Sequence, residues 1–169
     1  VTHNIYETLL NFNEEDTTIV AGLAKEWEVS EDGLTYTFKL QEGVKFHDGN
    51  DFNAEAVVKN FERWSAGAKD TFYYYNSMFR AEDKDIITSV TAQDATTVVF
   101  TLTRPQAPFL KNIAMAMFGI ASPAAFDTLG EQPVGTGPFK FKEWKRKDSI
   151  TVVKNEEYWQ EGIPKLSTV

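Results

Sequence analysis

His47, Asp48 and Asp51 stand close together in the chain, and imidazole and carboxylate are the groups that hold divalent metals. His3 is the only other histidine and lies far from them in sequence. Asp48 sits in an Asp-Gly turn and Asp51 lies beside an N-cap, so turn chemistry accounts for both. The expectation is a structural role, with no metal and no cofactor. Gly135-Thr136-Gly137 resembles a loop that cradles phosphate, but it has no third glycine and no Lys-Ser/Thr, and a strand follows it where a helix is needed. It reads as a turn with close backbone approach. Glu14-Glu15-Asp16, Glu55, Glu82-Asp83 and Glu156-Glu157 supply enough carboxylates for a glycosidase pair. None has a context that would raise one pKa or fix a separation, so a solvated face is expected. No Gly-x-Ser-x-Gly elbow occurs, and with no cysteine there is neither thiol catalysis nor a disulfide scaffold. Lys142 with Lys145-Arg146-Lys147, flanked by Glu143 and Asp148, reads as a polar hairpin tip.

The aromatic residues carry more information. Tyr73, Tyr74, Tyr75 and Phe79, together with the stretch Met115 to Phe118, combine large flat side chains with soft methionine. Such sets build either a core or an adaptable ligand wall. On the residues alone the set reads as core.

The 169 residues fit one domain or slightly more, and 42% hydrophobic with 25% charged residues excludes a disordered chain. No apolar run approaches the ~20 residues that cross a bilayer. With 17 basic against 25 acidic side chains the net charge is −8, which repels phosphate backbones, so no nucleic-acid partner is expected.

These residues need elements to position them. Trp27 and Val29, then Leu34, Tyr36, Phe38 and Leu40, alternate with polar neighbours about a Ser30-Glu31-Asp32-Gly33 turn, which predicts a hairpin. Asn53 is placed as an N-cap for a helix from Ala54 to about Trp64, with Val57, Val58, Phe61 and Trp64 as its apolar stripe. Residues 68–85 show no useful period and suggest a mobile or partner-dependent segment. A second hairpin is predicted from Ile87 to Leu102 and a third from Phe139 to Val153. Short helices are predicted after Pro108 and from Ser122-Pro123 to Leu129, and a capped helical turn at Asn155–Trp159. Ile5, Leu9 and Phe12 fall at helical spacing. Both ends read as cut, the last residues like a strand stopped early, so a piece of a longer protein is expected. The predicted class is α+β, with mixed, mostly antiparallel sheets built from hairpins and short helices.

Two blocks carry a family likeness. The first runs Leu23-Ala24-Lys25-Glu26-Trp27-Glu28-Val29-Ser30-Glu31-Asp32-Gly33-Leu34-Thr35-Tyr36-Thr37-Phe38-Lys39-Leu40, then Gly43-Val44-Lys45-Phe46-His47-Asp48-Gly49 and Phe52-Asn53-Ala54-Glu55-Ala56-Val57. The second is Val134-Gly135-Thr136-Gly137-Pro138-Phe139 with Asn155-Glu156-Glu157-Tyr158-Trp159. Together they resemble the extracytoplasmic solute-binding proteins of family 5, the dipeptide, oligopeptide and nickel-binding components of ABC importers.

The resemblance implies part of a two-lobed fold of the periplasmic-binding-protein type II kind. Residues 19–134 would be the inserted smaller subdomain, and 1–18 with 135–169 partial pieces of the main lobe. The second lobe, export signal and lipid-anchored cysteine would lie outside these residues. It implies a monomer outside the cytoplasm, in the periplasm or at the cell surface, tethered to the membrane in its full-length form. That protein would capture a peptide or small solute and hand it to ABC permease subunits, with no bond made or broken. Within this chain it points to Met117, Phe118 and Gly119 facing the cleft, with Tyr74 and Tyr75 as wall residues. Nickel-type relatives carry an arginine near this stretch, whereas Ala116-Met117-Phe118-Gly119 holds no basic residue, which favours dipeptides or oligopeptides over a nickel chelate. A nickel chelate or other small solute, a carboxylate-dependent hydrolase domain and a protein-contact scaffold remain as alternatives.

Overall fold

The computed structural model describes residues 2–82 and 84–169. The chain forms α1 (Thr2–Ile5), β1 (Leu10–Phe12), β2 (Ile19–Ala21), β3 (Ala24–Val29), β4 (Thr35–Leu40) and α2 (Ala54–Ala66). It continues with α3 (Tyr73–Phe79), β5 (Arg80–Ala81), β6 (Lys84–Asp85), β7 (Ile87–Asp94), β8 (Thr97–Leu102), α4 (Phe109–Ile113), β9 (Phe139–Lys145) and β10 (Ser149–Lys154). Single 3₁₀ turns lie at Ala116–Phe118 and Pro123–Ala125.

The centre is a four-stranded antiparallel sheet in the order β3-β4-β8-β7. Period-two burial makes it. Tyr36, Phe38 and Leu40 on β4 and Val98, Phe100 and Leu102 on β8 all turn to one face and are buried. The register sets Tyr36 against Phe100 and Phe38 against Val98. Helix α2 covers that face with Val57, Phe61 and Trp64, and the Phe61 and Phe100 rings meet edge to face at 4.8 Å. Each such side chain contributes about 1.5–3 kcal/mol by leaving water, so this core outweighs every surface ion pair in the molecule. Asn53 caps α2 by accepting from the Ala56 N–H at 2.9 Å, and Gly67 closes it. Gly49 takes φ 85° in the Asp48-Gly49-Asn50 turn, a conformation that other residues adopt only with strain.

The three predicted hairpins and the α2 helix form as expected. Val29, expected inside, is 45% exposed, because β3 is an edge strand that α2 does not cover. Ile5, Leu9 and Phe12 do not share a helix. α1 stops at Ile5, and Leu10–Phe12 pairs with β2, since ladder bonds and burial of Leu9 and Leu10 override the spacing. Residues 122–130 form only one 3₁₀ turn followed by irregular turns, and Asn155–Trp159 forms a turn in which Asn155 Oδ1 accepts from the Glu157 N–H at 3.2 Å. The last residues continue as a bridge beside β10, where the Val152 N–H donates to the Val169 carbonyl at 3.0 Å.

Arg80 links the described parts of the segment 68–85 to α2. Its guanidinium reaches Asp85 Oδ1 at 2.7 Å, Asn76 Oδ1 at 2.6 Å and the Ser65 carbonyl at 2.6 Å, tying α3 and β6 to the end of α2. A second, small core of Ile5, Phe139 and Val152 forms where α1 packs on β9 and β10.

Candidate functional site

The wall suggested by the aromatic residues is assembled from three places. Helix α2 contributes Trp64, α3 contributes Tyr73, Tyr74 and Tyr75, and the 3₁₀ turn contributes Met117 and Phe118. They surround a cavity of about 120 Å³. Tyr74, Tyr75, Met117 and Phe118 therefore come together, although more than 40 residues separate the two groups in the chain.

These residues divide by depth. Phe118 is buried and packs between Trp64 and Phe79, at centroid distances of 5.4 and 5.2 Å. Tyr75 is buried against Phe79, and burial pushes its hydroxyl up to about 12, with the Asp85 charge adding to the rise. Tyr73 and Tyr74 are 64% and 49% exposed and meet edge to face at 5.5 Å. Met117 is half-buried beside them. Core and wall are thus two layers of one cluster: Phe118 and Tyr75 support, while Tyr74 and Met117 meet solvent. Gly119 lies outside this cavity and lines the adjoining groove with Met117. A Cβ on Gly119 would come within 2.7 Å of the Tyr6 Cβ, so its bare backbone keeps the turn against the N-terminal segment.

Around Glu7 lies a junction that sequence reasoning missed. The Glu7 carboxylate is largely enclosed. It accepts from Tyr158 Oη at 2.6 Å, Thr136 Oγ1 at 2.7 Å and Trp159 Nε1 at 3.1 Å. Burial pushes this carboxyl up from its usual value, against the downward pull of those bonds. Burial and the neighbouring carboxylate together push the Tyr158 hydroxyl up. The visible signal was Thr136, a hydroxyl between two glycines in a tight loop.

His47 joins the same junction. Its Nε2 lies 2.9 Å from the Gly137 carbonyl, and the Gly135 N–H donates to Nδ1 at 3.4 Å. Both ring nitrogens are occupied, so the ring is unavailable as a metal ligand, and burial holds its pKa below the usual value. Asp48 accepts from Ser122 Oγ at 2.5 Å and from the Asn50 N–H at 3.1 Å, which is a turn-fixing role. Among the described residues no group of three or more ligating side chains could hold a metal ion. Close backbone approach defines the Gly135–Gly137 loop: a Cβ on Gly135 would fall 2.1 Å from the Ile5 carbonyl oxygen. The Gly137 N–H donates to that same oxygen at 2.9 Å.

The carboxylates considered for hydrolysis do not converge. Glu14, Glu15, Asp16, Glu55, Glu82, Glu156 and Glu157 are exposed, and Asp83 lies outside the described residues. The chain is therefore a sheet-and-helix body with an aromatic wall, braced by buried polar bonds to its N-terminal segment.

The family described as "Bacterial extracellular solute-binding proteins, family 5 Middle" matches residues 18–169. The chain belongs to this family. Its members are extracytoplasmic binding proteins rather than enzymes. A glutathione-binding protein of Pectobacterium atrosepticum is 39% identical over 173 residues, covering all of this chain and 32% of the relative. The periplasmic binding protein DppA of Helicobacter pylori, solved with the peptide STSA, is 38% identical with a TM-score of 0.80, over 93% of this chain and 34% of that one. NikA of Brucella suis, solved with Fe(III)-EDTA, is 28% identical with a TM-score of 0.84, over 99% of this chain and 33% of that one. The chain spans about a third of the length of these relatives. The α+β architecture is thus that of part of a periplasmic binding protein.

Proposed function

We propose that this chain is part of the substrate-binding component of an ABC importer, which captures dipeptides or oligopeptides outside the membrane and delivers them to permease subunits. The observation that carries the peptide reading is the wall itself. Tyr74 and Met117 present flat and polarisable surface to solvent, and no basic side chain stands between Ala116 and Gly119. Such a surface accommodates varied side chains by repacking, and it lacks the cation in that turn that an anionic chelate would need. The likeness to a glutathione-binding and a peptide-bound relative supports the same ligand class.

In this reading residues 19–134 are the inserted smaller subdomain, and residues 1–18 with 135–169 are pieces of the main lobe. Tyr74, Met117 and Gly119 meet the solute, with Tyr75 and Phe118 as the layer beneath. The full-length protein is a monomer tethered to the membrane. Ligand is gripped by closure of two lobes and no bond is changed, because affinity arises from contacts made only in the closed state. Calorimetric titration of the full-length protein tests this with di- to pentapeptides and with a nickel–histidine chelate. Heat with peptides is expected. Heat with the chelate and none with peptides overturns the ligand class.

A further inference from the structure

Lys142 and Lys145-Arg146-Lys147 belong neither to the aromatic wall nor to the Glu7 junction. They crowd the far end of the β9–β10 hairpin, where every residue from 142 to 150 is exposed. Residues 139–154 hold six basic and two acidic side chains, whereas the rest of the chain holds eleven and twenty-three. An acidic molecule thus gathers positive charge on one projection. Among the described residues only Lys145 of these four cations has an ion-pair partner, Glu143 at 3.8 Å, and both are more than half exposed. The same tip carries apolar surface. Trp144 and Ile150 are cross-strand partners, 48% and 41% exposed. Ile150 stands two residues before Val152 on β10 and shares its face, and Val152 is buried in the small core. That apolar face therefore runs on past the core and ends in water. The Arg146 guanidinium lies 5.6 Å from the Trp144 ring centroid, which sets a charge against the indole. Lys147 takes φ 66°, the left-handed region where glycine or asparagine is the relaxed choice, so the turn carries this cation at a backbone cost.

We infer that this tip docks on an anionic phospholipid surface, with Trp144 and Ile150 seated at headgroup level and the four cations on lipid phosphates. Indole has an apolar body and a polar edge, so it rests where water meets hydrocarbon, and clustered lysine and arginine gain from a negative surface. A protein interior is the wrong cover for the pair, because it would take three adjacent cations out of water with them. The acidic remainder of the chain does not cancel the attraction. The seven residues of β9 carry the tip roughly 20 Å from Phe139, at about 3.3 Å per residue, while salt screens charge over about 8 Å. Members of the family act outside the cytoplasm, where a membrane surface is within reach. This inference does not rest on the peptide reading, and no outcome below bears on that reading.

The test is co-sedimentation of the full-length protein, made without any lipid modification, with vesicles of phosphatidylcholine alone and of phosphatidylcholine mixed with phosphatidylglycerol. Binding to the mixed vesicles only is expected, and it should be lost at about 1 M salt, where screening shortens to ~3 Å. Lys145→Gln, Arg146→Gln and Lys147→Gln together should weaken it about a hundredfold, at about fivefold for each charge near the surface. Lipids brominated along the acyl chain should quench tryptophan fluorescence of the wild type, and Trp144→Thr should abolish that quenching. The comparison of the two vesicle types on the unaltered protein keeps the test valid if a variant unfolds. Equal sedimentation with both vesicle types, or with neither, overturns the inference, as does binding that the triple variant leaves unchanged. Absence of quenching means that Trp144 is covered by the protein's own chain or by a second copy, and also overturns it. A photo-crosslinking group at Ser149 should attach to lipid in whole cells, and attachment to a protein instead overturns the lipid surface as the occupant.

Discussion

Glu7 shows how a single side chain can stabilise a fold and burden it at once. Its three donors come from residues 129 to 152 positions away, so they close long loops. Glu7→Ala leaves those donors facing a void, and a loss of about 2–4 kcal/mol is expected in urea unfolding. The charge adds a pH dependence. Burial raises the folded carboxyl above its usual 4.5, so the folded chain holds the Glu7 proton more tightly than the unfolded chain does. This contribution is complete below about pH 4.5 and is lost as pH rises through the folded value. His47 acts in the opposite sense, because its folded pKa is depressed: its contribution is complete above the unfolded value of about 6.5 and is lost as pH falls. The two contributions run in opposite directions, so the net profile does not isolate either group. The stability difference between the wild type and Glu7→Gln isolates the carboxyl. It should shift against the wild type as pH rises above 4.5, and a difference independent of pH would sink the assignment. Gly135→Ala tests the other side of the junction. Its Cβ would collide with the Ile5 backbone, which cannot swing aside as a side chain would, so a loss of about 2–3 kcal/mol in the same unfolding assay is expected.

Elements differ in how much of them is local. Asn53 and the Val57, Phe61, Trp64 stripe sit within one helix, and the hairpin of β7 and β8 needs only alternation and a turn. Those features were therefore legible in the sequence. Asn53→Ala should cost about 1 kcal/mol in thermal or urea unfolding, and Asn53→Asp should restore most of it. An unchanged midpoint for the alanine variant would show that tertiary packing alone fixes the start of α2. The segment 68–85 was illegible for the converse reason. Its tie to α2 is Arg80 reaching back to the carbonyl of Ser65, and no local period records such a bond. Asn60 is a related case. A polar residue on the buried side of α2 spoils the stripe, yet it accepts from the Ala121 N–H at 3.0 Å and donates to the Ala121 carbonyl at 2.8 Å. It fastens α2 to the strand-like stretch that follows the 3₁₀ turn carrying Met117. The candidate wall was half legible. Its residue types stood out, but whether Tyr75 and Phe118 support the wall or form it depended on depth, which alternation does not encode in a short irregular turn.

At the scale of the molecule the question is whether the chain opens as one unit. The main core gathers most of the buried apolar side chains, including Phe38, Phe46, Phe79, Phe100 and Phe109. The second core holds only Ile5, Phe139 and Val152, on a two-stranded hairpin whose outer residues Trp144 and Ile150 stand in solvent. Burying three such side chains contributes roughly 5–8 kcal/mol before entropy is counted, far less than the main core. Against easy separation stand the bonds of the junction: Gly137 N–H to Ile5, His47 N–H to Gly135, and the Glu7 cluster. Those bonds are polar, and water replaces most of their energy when they part, so apolar area decides the order of opening. The β9–β10 hairpin should therefore open first while the four-stranded sheet stays closed. Native-state hydrogen exchange checks this directly. Amides of β9 and β10 should exchange through an opening at least about 2 kcal/mol below that of the Phe38 and Phe100 amides, which should report global unfolding. The same gap is expected if residues 19–134 form a unit of their own, inserted between two pieces of another. A single opening energy shared by both sets of amides would mean that the junction fuses the two cores, and the proposed division of the chain would fall with it.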